Sequence, residues 1–364
     1  MERLAFDLTT VKLGDICTKG SSNIAQKDLE GNTGNYPIFG ASGLIKCVDF
    51  YKQEKEYIAI VKDGAGVGRT MILPAYSSVI GTMQYIFPKE NIDVKFLYYV
   101  LTWMNLSKYY TGATIPHIYF KDYKKEQFNL PSLEKQRHIA TILDKVSVLI
   151  ENRKKQLKNL DKLVKARFVE MFDTCENRVT VNDLCSIITD GTHQPPKFQN
   201  EGIPFIFVSN LANNTITYNT EKFISEETYN DLIKRTPIEI GDILLSTVGS
   251  YGHPAIVLKE KKFLFQRHIA YLKPRHDLVN SFYLHSAMLS PDVQRQIEEK
   301  VKGIAQKTLN LSEIRKITIP VPGIEEQNAF EVFIKQVDKS KFEVQQSLEK
   351  LETLKKSLMQ QFFG

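Results

Sequence analysis

One stretch of this chain occurs twice, and it limits the possible folds more than any other feature. Pro131-Ser-Leu-Glu-Lys-Gln-Arg-His-Ile returns in altered form as Pro322-Gly-Ile-Glu-Glu-Gln-Asn-Ala-Phe. Each copy opens a long helical pattern, ending at Phe172 in the first and at Phe363 in the second. Start and end are both displaced by 191 residues. Two copies are too few for a solenoid. They imply two large units, each a globular domain followed by a helix.

The helices carry a heptad pattern. In the first, Leu143, Ile150, Leu157, Val164 and Met171 recur every seven residues, Val146 and Leu160 fill the second seam position, and Arg153 and Arg167 interrupt it. In the second, Val337, Val344, Leu351 and Leu358 recur every seven, with Ile334, Leu348 and Phe362 beside them. Apolar residues three and four apart over about four heptads predict a coiled-coil seam, with each helix roughly 40 Å long. Neither stretch contains an internal Pro or Gly to break it. Glu134 and Glu325, close behind each opening Pro, suit the positive end of a helix dipole. An apolar stripe must be buried, and the nearest equivalent surface is the other copy. The expected arrangement is an intramolecular antiparallel pair with core residues Leu143, Val146, Ile150, Leu157, Leu160, Val164, Val337, Val344, Leu348, Leu351 and Leu358. The alternative is that each helix packs only on its own domain.

Composition narrows the class. A length of 364 residues allows two or three domains. Hydrophobic residues at 42% and charged residues at 25% describe an ordinary folded protein. No apolar run is long enough to span a membrane, so a cytoplasmic location is expected. Cys17, Cys47, Cys175 and Cys185 have no CxxC spacing, which argues for free thiols and against a zinc site. The net charge of +6 permits nucleic-acid binding. Between Asp144 and Glu170 the first helix has eight Lys/Arg against four Asp/Glu.

The two units follow one plan. Val11–Cys17 is answered by Val181–Cys185, and both read as opening strands. The Ser21 loop is answered by Thr189-Asp-Gly-Thr-His193, and Tyr36–Phe39 by Ile203–Val208. The strand and glycine turn from Glu56 to Gly68 are answered by Asp242–Gly252. Met83–Phe87 is answered by Phe265–Leu272, and the short helix 96–104 by 282–289. Gly112 onward is answered by Gly303 onward, again at 191 residues. The predicted fold class is α+β: two β-rich globular target-recognition domains (1–131 and 176–322), each followed by a long helix (132–175 and 323–364), the helices paired as an antiparallel coiled coil with pseudo-twofold symmetry.

No catalytic constellation emerges. Asp63-Gly-Ala-Gly-Val-Gly68 resembles a phosphate or S-adenosylmethionine loop, but such a loop needs a following helix, and Arg69–Ile80 is β-like and contains Pro74. A tight strand connection is the better reading. The seven histidines include no i, i+4 pair with an acid between them, and Ser, His and Asp are not arranged as a triad. The matched polar loops suit nucleic-acid contact better. The first unit offers Ser21, Ser22, Lys62, Arg69, Gln84, His117 and Tyr119. The second offers Thr192, His193, Gln194, Lys197, Ser250, Tyr251, His253, Gln266, Arg267, Gln306 and Lys307. Arg, Lys, Gln and Asn read base edges, and Ser/Thr hold phosphates.

A Gly…Pro-x-x-Glu-x-Gln signature leading into a long helix, present twice behind two divergent β-rich domains, resembles the specificity (S) subunit of type I restriction-modification systems. The resemblance covers the whole chain in domain order and is most specific at Gly112–Phe172 and Gly303–Phe363. It implies sequence-specific binding of double-stranded DNA, each domain reading one half of a bipartite target and the helices setting the unread spacer. It also implies that the helices carry two methyltransferase (M) subunits, which are joined by restriction (R) subunits. S-adenosylmethionine, ATP and Mg would belong to those partners and no cofactor to this chain, a non-catalytic subunit. With the second helix at the end of this sequence, no extension that helps close a pseudo-symmetric ring is expected. The resemblance does not identify base-reading residues. Two rival classes are a non-catalytic coiled-coil scaffold with two protein- or carbohydrate-binding domains, and an enzyme using the Asp63 loop.

Overall fold

The computed structural model describes residues 9–112, 114–303 and 307–364. The chain divides into two compact units, Met1–Lys154 with Gln346–Gly364, and Lys155–Gln345.

In the first unit, β1 (Thr9–Lys12) pairs antiparallel with β9 (Gln127–Leu130). A four-stranded antiparallel sheet has the order β2 (Cys17–Ser21), β8 (Met83–Pro88), β5 (Tyr57–Val61), β6 (Thr70–Leu73). A three-stranded sheet has the order β4 (Gly43–Val48), β3 (Tyr36–Gly40), β7 (Ser78–Val79). β5 is buried along its whole length because both its faces are covered. Ile58 and Ile60 face Phe96, Leu97, Val100 and Leu101 of α2 (Val94–Trp103). Tyr57, Ala59 and Val61 join Val79 and Tyr85 on the other face. The alternation is the period of two that a pleated strand imposes. Asp93 starts α2 by accepting from the N–H groups of Lys95 and Phe96 at 3.0 and 2.9 Å.

Among the described residues, the second unit repeats the strands of the first in the same topology. β10 (Arg178–Thr180) pairs with β18 (Thr318–Pro320). The larger sheet has the order β11 (Cys185–Asp190), β17 (Ile269–Pro274), β14 (Ile243–Ser246), β15 (Pro254–Ile256). The smaller has the order β13 (Phe223–Ile224), β12 (Ile203–Ile206), β16 (Leu264–Phe265). On β14, Ile243 and Leu245 face Tyr283, Leu284 and Ala287 of α7 (Ser281–Met288), while Leu244 faces Phe263, Phe265 and Tyr271. Asn280 caps α7 as Asp93 caps α2.

Two expectations about the strands need correction. Val11–Cys17 and Val181–Cys185 are not continuous strands. A helical turn, α1 (Leu13–Ile16) or α5 (Val181–Leu184), interrupts each. The cause is local: Thr180 Oγ1 accepts from the Asp183 N–H at 3.2 Å, and Asp15 takes the Lys12 N–H at 3.3 Å. The remaining short helices are α3 (Phe120–Tyr123), α6 (Glu226–Leu232), α8 (Pro291–Lys300) and α9 (Leu311–Arg315). The second correction concerns the match between Met83–Phe87 and Phe265–Leu272. Sheet pairing sets Pro88 opposite Cys17 and Pro274 opposite Cys185, so Gln84 corresponds to Ala270 and not to Gln266.

The long helices are α4 (Leu133–Phe172) and α10 (Ile324–Phe363), 40 residues each. At 1.5 Å per residue each is roughly 60 Å long, more than the 40 Å expected, because the heptad seam is preceded by turns that pack on the globular part. In the first unit the start of α4 meets the end of α10. Leu143 is fully buried with Met359 and Tyr99, Phe363 lies 5.6 Å from Phe96 between centroids, and Lys154 pairs with Glu352 at 2.9 Å. In the second unit the end of α4 meets the start of α10. Phe168, Phe172, Tyr283 and Phe330 form an aromatic cluster with centroids 4.9–5.6 Å apart, and Asp161 pairs with Lys341 at 2.7 Å. The helices therefore run antiparallel within each unit.

Of the seam residues, Leu143, Val146, Ile150, Val337, Val344 and Leu348 are buried, and Leu157, Leu160, Val164, Leu351 and Leu358 are half-buried. Phe168, Phe330 and Met359 are buried helix residues that the heptad pattern did not single out.

Candidate nucleic-acid interface

In the first unit the candidate surface is built where the β5–β6 turn meets a small hairpin. The Asp63–Gly68 turn leads directly into β6, with no helix after it. Gly64, Gly66 and Gly68 all have positive φ (83, 87 and 85°). At Gly68 a Cβ would also lie 2.5 Å from the Ser107 backbone nitrogen, so the turn is held against the chain after α2. The hairpin closes through reciprocal backbone hydrogen bonds of 2.8 Å between Thr111 and His117. It is tied to the turn by Gly64 N–H to Pro116 O and Ile118 N–H to Lys62 O, both 2.9 Å.

This pairing gathers side chains far apart in sequence. The Asp63 carboxylate lies 2.6 Å from His117 Nδ1 and 3.5 Å from Lys62 Nζ. Tyr119 stacks on His117 at 6.5 Å, and Lys121 Nζ sits 5.2 Å from the Tyr119 ring centre. Cations, an imidazole and an exposed tyrosine thus share one surface, with chemistry suited to phosphates and base edges. Arg69 is exposed but anchored elsewhere, donating to Ala41 O at 2.8 Å. Ser21 ends β2 and is exposed, and Ser22 is half-buried. Gln84 does not present itself to a ligand: it is 3% exposed and donates to Tyr123 Oη at 2.6 Å. Its place inside a strand turns it toward the core.

The second unit has the same framework and different side chains. A hairpin closes between Lys302 and Thr308, each residue displaced by 191 from Thr111 and His117. It meets the β14–β15 turn through Gly249 N–H to Lys307 O at 3.2 Å and Leu309 N–H to Thr247 O at 2.8 Å. Lys307 Nζ lies 2.8 Å from Glu298 and 3.3 Å from Tyr251 Oη, and Tyr251 donates to the same carboxylate. The Glu298 carboxylate and Tyr251 hold the Lys307 ammonium above its usual pKa. Ser250 is exposed at the turn. His253 Nδ1 lies 3.1 Å from Asn214 Oδ1, which fixes the ring. Gln306 lies outside the described residues.

A second group surrounds the end of β11. Asp190 holds His193 Nε2 at 2.8 Å and Arg235 Nη2 at 2.5 Å. Thr192, His193, Gln194, Lys197 and Arg235 line a groove of about 530 Å³ that also includes Lys234, Asp231 and Thr228. Gly191 permits this path, since a Cβ there would lie 2.3 Å from Phe265 O. Arg267 is exposed, and its N–H donates to Thr192 O at 3.1 Å, while the half-buried Gln266 donates its N–H to Ile206 O. Burial, aided by the Arg267 charge, lowers the pKa of the neighbouring His268. Asp63, Asp190, Glu298 and Arg235 were absent from the sequence-derived set. Asp63 had a signal, its place in the glycine turn, but nothing in sequence links Arg235 to Asp190.

Among the described residues no cluster of His, Cys, Asp and Glu is arranged to hold a metal, and no helix is long and apolar enough to cross a membrane.

Comparison with known proteins gives this framework a family. The model of the type I restriction modification DNA specificity domain matches twice, at residues 7–161 and 176–355. The EcoBI specificity subunit of Escherichia coli is 24% identical over 290 residues, covering 70% of this chain and 61% of that protein. The MjaVIII specificity subunit of Methanocaldococcus jannaschii is 23% identical over 397 residues, covering 98% and 92%. Among solved structures, the S subunit of a type I restriction-modification system from M. genitalium aligns over 100% of this chain and 97% of its own, at 16% identity and a TM-score of 0.62. A structure from work on complex assembly and conformational transition of the type I system aligns over 100% of both chains at 16% identity and a TM-score of 0.57. With two copies of the domain spanning most of its length, the chain belongs to the family of type I restriction-modification specificity subunits.

Proposed function

We propose that this chain is the non-catalytic, DNA-reading subunit of a type I restriction-modification complex. Each globular part reads one half of a bipartite target, and α4 and α10 set the spacer. The observation that carries this reading is the repeated framework with unlike side chains. The same turn-and-hairpin junction displays Lys62, His117 and Tyr119 in one unit and Lys307, Tyr251 and His253 in the other. A repeated backbone framework with unlike polar side chains suits two readers of two different sequences. Methyl transfer from S-adenosylmethionine, and any Mg- and ATP-dependent cleavage, belong in this reading to methyltransferase and restriction partners.

Docking of two methyltransferase subunits on the helices is supported by a matched pair of apolar residues. Leu163 and Leu354 occupy equivalent positions, 191 residues apart, and are 47% and 45% exposed. Equivalent exposed leucines on equivalent helices suit two copies of one partner.

The test is a base-resolution N6-methyladenine map in cells carrying the chain with its methyltransferase partner, against cells lacking only this chain. Loss of one gapped, two-part motif supports the reading. An unchanged map, with the partner shown to be active through another specificity subunit, refutes it. The helix part is tested by deleting Lys154–Leu160 together with Phe342–Leu348, which keeps the helices equal in length. Seven residues remove about 10 Å, so the spacer should shorten by about three base pairs.

A further inference from the structure

Gln136 and Gln327, the glutamines of the repeated signature, are absent from both recognition faces. They are 1% and 0% exposed. Gln136 Oε1 accepts from the Asp93 N–H at 2.9 Å, and its Nε2 donates to Pro131 O at 2.9 Å and Asn91 O at 3.2 Å. Gln327 Oε1 accepts from the Asn280 N–H at 2.9 Å, and its Nε2 donates to Pro322 O at 2.9 Å and Leu278 O at 3.3 Å. One amide therefore ties together three backbone segments: the proline that opens the long helix, the cap residue of α2 or α7, and the turn before that cap. The same three bonds recur in two domains whose surfaces have diverged.

We propose that Gln136 and Gln327 are positioning residues for spacer specificity. Each fixes the direction of its long helix relative to the recognition surface of its own unit. The path is continuous within each unit. Gln136 holds the start of α2, α2 packs on β5, and β5 leads directly into Lys62 and Asp63. Gln327 holds the start of α7, α7 packs on β14, and β14 ends at the turn carrying Ser250 and Tyr251. One base pair advances the duplex by about 3.4 Å, so slack at either joint would admit neighbouring spacer lengths. The inference rests on the reading that α4 and α10 set the spacer.

The experiment uses the full chain with its methyltransferase partner and maps N6-methyladenine. Its measure is the ratio of methylation at the native spacer to that at spacers one base pair longer or shorter. Gln136→Met with Gln327→Met keeps side-chain length and removes all six hydrogen bonds. The ratio should fall at least about tenfold, with both half-site sequences unchanged. Gln→Glu at both sites retains the acceptor and loses the amide donors, and should give a smaller fall. A native ratio in the Met variant overturns the inference. So does loss of methylation at every spacer in both variants, which would reveal a merely structural role. The paired heptad deletion is run alongside. If it shifts the spacer while the glutamine variants keep a native ratio, only this inference fails. If it leaves the spacer unchanged, the ruler fails and this inference with it.

Discussion

Phe330 offers the sharpest test of how α10 is anchored. Its ring is fully buried, 5.6 Å from Phe168, 5.4 Å from Phe172 and 6.3 Å from Phe333 between centroids. Truncation to alanine removes the buried ring and leaves a cavity among three aromatic neighbours, a change that costs about 3–5 kcal/mol. For a unit of this size each kcal/mol lowers the unfolding midpoint by roughly 2–4 °C, so Phe330→Ala should lower it by roughly 6–20 °C. Phe342, on the same helix but 63% exposed, is the control, and its truncation should change stability by about 0.5 kcal/mol or less. Scanning calorimetry of both variants, with urea unfolding followed by circular dichroism, gives the comparison. Phe168→Ala combined with Phe330→Ala should cost less than the separate losses added together, because the two rings contact each other. If Phe330→Ala falls within about 1 kcal/mol of Phe342→Ala, the aromatic cluster does not anchor the helix and the packing argument is wrong.

Further outcomes follow from the same geometry. Lys307→Ala should weaken DNA binding in the assembled complex and reduce the slope of log affinity against log salt by about one, and an unchanged slope would remove Lys307 from the phosphate contacts. Gln84→Ala should cost about 1–3 kcal/mol by leaving the buried Tyr123 hydroxyl without its partner, while the methylated motif stays the same. A changed motif would return Gln84 to the interface. His285, whose Nε2 lies 3.2 Å from Asn214 O, has its pKa lowered by burial. The unfolded chain then binds the proton more readily, so this contribution is present above about pH 6.5 and is lost as the pH falls toward the folded value. Replacement by Gln should flatten the stability profile of the second unit in that window, and an equally steep profile in the variant would count against the assignment.

Much of the architecture was legible in the chain because it was written twice. The 191-residue displacement located both helices from Leu133 to Phe172 and from Ile324 to Phe363, and it recurs in the Thr111–His117 and Lys302–Thr308 hairpins. Heptad spacing identified Leu143, Val146, Ile150, Val337, Val344 and Leu348 as buried, since a helix with one apolar stripe has one face to cover. The candidate surface was less legible. Gln84 was chosen as a reader because Gln is a side chain that reads base edges, yet its place in the sheet turns it inward. Arg235 gave no signal, because its partner Asp190 lies 45 residues earlier in sequence.

Local pattern by itself determined that this chain has two α+β units, each with a long helix bearing one apolar face. Periodicity, glycine turns and a repeated signature are properties of neighbouring residues, and each acts over a few turns of chain. Only the tertiary structure decided which polar groups meet. It joined Asp63 to His117, Glu298 to Lys307 and Asp190 to Arg235, and it buried Gln136 and Gln327 against three backbone segments each. These contacts depend on strand register and loop closure between distant segments, where a shift of one residue turns every side chain to the other face.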